Sequence, residues 1–193
     1  MNRMFVLCVA ALTLSAALLT GCVPVLIAGA AGGAVMVATD RRSAGAQVDD
    51  ESIELKLITQ VGNDYGERVH VNVTSYNGVV LLTGEVPDQG TWASIGGIAK
   101  NTEKVRVVNN ELIVAPLADF SSRSNDTYIT SKVKSRMIEA NRFPPNAVKV
   151  VTERGIVYLM GIVSMEEGNA AGETAATTSG VVRVVKFFQY PTK

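Results

Sequence analysis

The chain repeats itself, and the repeat limits the folds open to it. Residues 71–86 (VNVTSYNGVVLLTGEV) align without a gap on residues 148–163 (VKVVTERGIVYLMGIV), an offset of 77. The same offset pairs residues 105–108 with 182–185, both VRVV. Upstream it falls to 76, where Asp50, Ile53, Lys56 and Leu57 align on Asp126, Ile129, Lys132 and Val133, so the second copy has gained one residue between its first helix and its first strand. Self-similarity at this period means two copies of one small unit, each with its own modest core.

Each copy has the same order of elements. An amphipathic helix leads into two β-runs joined by a tight turn, Asn77-Gly78 or Arg154-Gly155, and a second helix returns the chain to a closing β-run. The pattern is αββαβ, and the fold class is α+β. The hairpin makes the first two strands antiparallel and the ββαβ crossover brings the third back parallel, so each copy is expected to form a three-stranded mixed sheet covered on one face by two helices. Gly84 and Gly161 interrupt strands, which predicts a bulge or a close backbone approach. The second helix of copy one spans about residues 88–104, with Trp92, Ile95 and Ala99 at helical spacing. Its counterpart, residues 165–179, carries Gly168, Gly172 and three threonines and has the weaker helical pattern. Asp49-Asp50-Glu51 and Ser124-Asn125-Asp126 are expected to cap the first helix of each copy. The domains are placed at residues 49–115 and 124–191, with a short connector between them.

The region before the first copy reads as an export and anchoring signal. Asn2 and Arg3 precede an apolar run that ends in Leu19-Thr20-Gly21-Cys22, which resembles a bacterial lipobox. Residues 1–21 are then a signal peptide, and residues 22–48 a lipidated N-terminus and linker. The Cys22 thiol carries a diacylglyceryl group, and the amine exposed by cleavage carries a third chain. At about 0.8 kcal/mol per buried CH₂, one chain holds marginally and three make release negligible. Val23, not Asp, follows the cysteine, which in lipoproteins of this kind implies the outer membrane, with the body facing the periplasm. Residues 23–38 are uncharged but short for a membrane-spanning helix, which needs about 20 residues.

Once Cys8 leaves with the signal and Cys22 takes lipid, no thiol remains for a disulfide, zinc site or nucleophile. Eighteen basic residues balance eighteen acidic ones, so no overall field draws the chain to nucleic acid, and any anionic partner must meet a local patch. His70, the lone histidine, starts a strand without a triad, metal-binding pair or phosphate-cradling loop. It is expected at a surface or strand end. The reading is non-enzymatic, with no cofactor and no metal.

The αββαβ repeat with its Gly-x-Val-x-Leu-x-Gly strand, at residues 78–84 and in related form at 155–161, resembles the BON domain. Two such domains behind a lipobox resemble the dual BON-domain outer-membrane lipoproteins. That resemblance implies a Gram-negative envelope protein whose second BON domain binds anionic, phosphatidylglycerol-like phospholipid, supports envelope integrity and gathers at division sites.

The third helix, about residues 127–141, carries the candidate site. Ile129, Val133, Met137 and Ala140 share a stripe about 80° wide that should cover the sheet. The opposite arc collects Tyr128, Ser131, Lys132, Lys134, Ser135 and Ile138, with Arg136 nearer the core edge. Apolar wedges, small hydroxyls and cations are what an interfacial helix uses to enter headgroups. Copy one places Lys56, Thr59 and Gln60 on its equivalent arc, so the wedge is expected only in copy two. Read from the helical wheel alone, Tyr128 and Ile138 could equally contact the first domain. The resemblance points to lipid, with Tyr128 standing where a tryptophan is associated with that helix. The basic residues would add about 1 kcal/mol each against an anionic surface, a salt-sensitive sum that suffices for a tethered body. The competing reading is a protein adaptor, with this face docked on outer-membrane assembly or cell-wall remodelling machinery.

Overall fold

A computed structural model describes residues 40–191. The signal peptide, Cys22 and the apolar segment 23–38 lie outside the described residues. In chain order the elements are α1 (Ala44–Tyr65), β1 (His70–Tyr76), β2 (Val79–Val86), α2 (Gln89–Asn101), β3 (Val107–Asn110), β4 (Ile113–Val114), α3 (Phe120–Ala140), β5 (Val148–Glu153), β6 (Ile156–Ile162), α4 (Met165–Ala176) and β7 (Arg183–Gln189). β1 pairs antiparallel with β2, and β3 and β4 follow one another in parallel along β2, so the closing strand of copy one is broken in two. In copy two, β5 pairs antiparallel with β6 and β6 parallel with β7. The mixed sheets and the αββαβ order are those expected from the repeat.

The strand glycines are sites of close approach. A Cβ on Gly84 would lie 2.0 Å from the carbonyl oxygen of His70, and one on Gly161 would lie 2.2 Å from that of Ala147. No side chain fits at either position.

The capping expectation was wrong in an informative way. α1 begins at Ala44 under Ser43, whose hydroxyl accepts from the Ala46 N–H, and α3 begins at Phe120 under Asp119, which accepts from the Ser122 N–H. Asp50 and Asp126 therefore lie inside their helices, and both are buried. Asp126 accepts the N–H groups of Arg154 and Gly155, each at 2.8 Å. Asp50 accepts those of Asn77 at 2.6 Å and Gly78 at 2.8 Å, together with the Ser75 hydroxyl and the Arg42 guanidinium. These are the turn residues of the two hairpins, all with positive φ. Their inward N–H groups have no strand partner, and a helix carboxylate supplies one. Burial alone would raise the Asp50 carboxyl, but the Gly78 N–H, the Ser75 hydroxyl, Arg42 and the Asn77 N–H outweigh it and hold it below the ordinary range.

Behind each aspartate runs a buried stripe. Ile53, Leu57 and Val61 follow Asp50, and Ile129, Val133 and Met137 follow Asp126. Ala140, placed in that stripe by the sequence, is exposed in the last turn of α3, next to the left-handed Asn141 cap. α4 is a regular helix that opens with a capping box, Ser164 with Glu167, and packs through Ala170, Ala171 and Ala175. Its glycines admit neighbours: Gly168 faces the Phe188 ring, and Gly172 faces the Lys186 stem. Small residues here serve packing, which offsets their low helical propensity.

Three hydrophobic clusters organise the body. One lies between helices and sheet in each copy. The third joins the copies: Tyr76, Val79 and Leu81 from the first sheet meet Tyr158 and Met160 from the second, with Val151, Val185 and Phe187 around them. The two sheets thus pack through the faces their own helices leave bare, and the helices form the outer layers. Polar contacts edge this seam, including Lys149 to Glu54 at 2.9 Å and Asn77 to Gln189 at 2.8 Å.

Of the segment expected to be a linker, the described residues 40–42 are instead part of the seam, and residues 44–48 belong to α1. Arg41 forks onto both carboxylate oxygens of Glu167 at 2.6 Å and onto the Ile162 carbonyl at 3.0 Å, while Arg42 pairs with Asp40 and Asp50 and lies 4.4 Å over the Tyr76 ring. The strap before the first domain is bolted to the second.

Two outcomes follow from these contacts. Asp126→Ala strands two turn N–H groups beneath α3 and should cost about 3 kcal/mol or more, read as a fall in the urea midpoint of unfolding. Hydrogen bonding to Arg41, against burial and with help from the Ser164 N–H, lowers the Glu167 carboxyl from 4.5 to about 2. Because the folded value lies below the unfolded one, the stability it contributes is complete above about pH 5 and is lost as pH falls from 4.5 toward about 2. Glu167→Gln, which keeps the capping box, should flatten the urea midpoint against pH across that window, and Arg41→Ala should do the same.

Candidate functional site

α3 presents the predicted arc to solvent, but divides it between two concavities. Its rotation is fixed from inside, by Asp126 on the β5–β6 turn and by Ile129, Val133 and Met137 against the sheet. Tyr128 is 62% exposed and Ile138 58%, and neither enters the seam between the sheets. Contact with the first domain, the alternative left open by the helical wheel, is met only in part: Ile138 borders a hollow that includes Arg42 and Tyr76, and the groove lined by Tyr128 holds second-domain residues alone.

Tyr128, Ser131, Lys132, Ser135 and Arg136 line one groove of about 550 Å³ between α3 and the end of α4. The far wall is Thr177, Thr178 and Ser179, a hydroxyl run that the sequence reading did not include, and Glu139 places one acid at the groove's edge. Lys134 and Ile138 belong to a second, smaller hollow of about 260 Å³ that they share with Arg42, Tyr76, Asn146 and Lys149. The seven predicted residues are on one helix but do not form a single pocket.

The cations differ in how they are held. Lys132 lies 4.6 Å from the centre of the Tyr128 ring and donates to the Ser179 carbonyl. Arg136 donates to the Thr178 hydroxyl at 3.0 Å and to the Thr174 carbonyl at 3.4 Å. These acceptors orient the charges without neutralising them, and they lie at the C-terminal end of α4, where cations are favoured. Lys134 is exposed and has no ion-pair or hydrogen-bond partner among the described residues. Ser131 returns its hydroxyl to the Thr127 carbonyl at 3.0 Å.

Copy one has the equivalent groove, larger at about 950 Å³, between α1 and α2. Contrary to expectation it also has exposed apolar residues, Leu55 at 68% and Ile58 at 52%. What separates the copies is charge. Lys56, the counterpart of Lys132, pairs with Glu103 at 3.3 Å, and Lys104 pairs with Asp49 at 2.6 Å. Ser179 and Gly180 occupy the positions of Glu103 and Lys104 in copy two: the turn bonds Val105 N–H to Thr102 and Val181 N–H to Thr178, and the register of the closing strands, relate the copies here by 76 residues and not by the 77 expected from the VRVV match. Losing that one acid is what leaves Lys132 bonded to a carbonyl instead of a carboxylate.

Comparison with known proteins gives this arrangement its relatives. Residues 49–116 and 125–192 each match the BON domain. The chain is 42% identical over 174 residues to the outer membrane lipoprotein DolP of Haemophilus influenzae, covering 89% of this chain and 90% of that protein. It is 35% identical over 153 residues to the 21 kDa hemolysin of Actinobacillus pleuropneumoniae, covering 78% and 79%. Over 142 residues it is 29% identical to the osmotically-inducible protein Y of Escherichia coli, covering 72% and 71%. No helix among the described residues is long and apolar enough to cross a membrane. The chain belongs to the BON-domain family and is one of its two-copy outer-membrane lipoproteins.

Proposed function

We propose that the chain is a non-enzymatic, lipid-anchored protein whose second BON domain reads anionic phospholipid through α3, supporting envelope integrity and gathering at division sites. The observation that carries this reading is the state of Tyr128 and Ile138. Both stay exposed although the sheets have formed an extensive apolar seam elsewhere, and cations with no carboxylate partner stand beside them. An aromatic with a polar tip, a branched aliphatic and three basic residues on one outer helix suit entry into headgroups. The lipid anchor at Cys22 supplies the residence, and the helix supplies the preference: tethering holds the body at high local headgroup concentration, so weak contacts are enough to orient it and to sort it laterally.

A second reading rests on the copy-one groove. Its exposed Leu55, beside the paired Lys56 and Glu103, suits an uncharged protein segment, as an adaptor for outer-membrane assembly or cell-wall machinery would need.

The discriminating experiment is co-sedimentation of residues 40–193, which contain all three hydrophobic clusters, with zwitterionic vesicles and with vesicles that also hold phosphatidylglycerol. The expected result is binding to the anionic vesicles alone, weakened by salt. Tyr128→Glu and Ile138→Glu should each abolish it without lowering the unfolding midpoint. Lys134→Gln should weaken it about fivefold, the equivalent of about 1 kcal/mol. Leu55→Glu should leave it unchanged. A folded fragment that binds neither vesicle would shift the function to the adaptor reading.

A further inference from the structure

The repeat is least exact at one end of the seam. The inner face of copy one carries His70, Asn72 and Glu85, whereas copy two has Ala147, Lys149 and Ile162 at the matching positions. His70 and Glu85 are direct cross-strand partners on β1 and β2, with His70 Nδ1 at 2.9 Å from Glu85 Oε2. Glu153, at the end of β5, comes across the seam to join them. Asn72 donates to it at 2.9 Å.

Glu85 is an unusual residue to find here. It is fully buried, and its Oε1 has no hydrogen-bond partner. The nearest cation to that oxygen is Arg154, whose Nε stands 3.7 Å away, too far to donate. A buried carboxylate oxygen left in this state is costly, because nothing replaces the solvation it has lost. Glu153 is also buried, and Asp126, lining the same hollow, is committed to the β5–β6 turn. Negative charge is concentrated at this end of the seam.

We propose that His70, Glu85 and Glu153 form a site for a divalent transition-metal ion, Zn²⁺ above all, that ties the two BON domains together. One ring nitrogen of His70 and one oxygen from each carboxylate all lie within 4.8 Å of one another. Ligand atoms about 2.0–2.2 Å from one ion stand roughly 3.0–3.4 Å apart, so the His70–Glu85 pair, at 2.9 Å, is already close to that spacing and Glu153 closes the set by a shift of at most about 1.8 Å. A nitrogen with two carboxylates and no thiolate suits Zn²⁺ or Mn²⁺. An adjoining hollow of about 340 Å³, lined by His70, Asn72 and Glu153, gives the ion an entry path and room for water as the remaining ligand. Asn72 supplies the outer hydrogen bond that orients Glu153. Arg154 is the competing cation, and the site trades its distant charge for a bound one.

Titration calorimetry on the full chain in non-ionic detergent tests this, using ZnCl₂ and MnCl₂ after chelator stripping. One equivalent of Zn²⁺ should bind with a Kd of about 10 µM or tighter and raise the thermal midpoint. His70→Gln and Glu153→Gln, near-isosteric changes that leave both cores intact, should each weaken binding at least tenfold and remove the thermal shift. Arg154→Asn should strengthen it several-fold. That variant keeps the turn, because Asn77 holds the same place in copy one with φ of 52° against 51° for Arg154. Absence of binding, or binding that survives both His70→Gln and Glu153→Gln, overturns the proposal, as does weaker binding in Arg154→Asn.

Discussion

Each domain depends on one buried carboxylate. A two-residue hairpin turn in the left-handed conformation points two N–H groups into the protein, and neither strand can accept them. Asp50 and Asp126 do so from the middle of a helix. The contact fixes how far along the sheet the helix lies and how it is rotated about its own axis. With the aspartate inward, residues three, seven and eleven positions later must also point inward, and in both copies those are the large apolar side chains. The outward arc is then whatever remains. In copy two it includes Tyr128, Ser131, Lys134, Ser135 and Ile138, so the candidate lipid face is set by a hydrogen bond on the opposite side of the helix.

The architecture of each copy could be read from the repeat because its signals are local: an Asn-Gly or Arg-Gly turn between β-runs, amphipathic helices, and glycines where another backbone passes. The aspartates were legible as matched positions but not as turn anchors. Asp50 and Asp126 occur near helix starts in sequence, and a cap is the commoner use of an acid there. Only the partner, a turn about 28 residues away, distinguishes the two roles. The strap was hidden for a related reason. Arg41 and Arg42 stand in a stretch of polar and small residues that reads as a linker, and their partners Glu167 and Asp50 are fixed only once both domains have folded.

The seam did leave a trace. Strands exposed on one face alternate, but β2 reads VVLLTGEV and β6 reads IVYLMGI, near-continuous apolar runs of the kind buried on both faces. Helices cover one face only, so a second apolar layer was required, and the other copy of the repeat was available to supply it. Glu85 is the charged exception within β2. In a run buried on both faces, a carboxylate signals a specific partner, and that signal was present in the sequence beside the lone histidine.

Packing the sheets face to face has a consequence for how the two copies divide their work. The inner faces are consumed by the seam, which frees both helical layers for other surfaces and places the two grooves on opposite outer layers of the body. Duplication alone would have made those grooves equivalent. One position separates them electrostatically, Glu103 in copy one against Ser179 in copy two. The acid neutralises Lys56 and, with Asp64 also lining the groove, leaves it without net positive charge. The serine brings no charge, and its backbone carbonyl receives Lys132, which orients the ammonium and keeps its charge. A carbonyl contributes a partial dipole where a carboxylate contributes a full negative charge, so only the second groove retains a net attraction for anions. A body with this asymmetry can meet an anionic lipid surface with one layer and still present the other to protein.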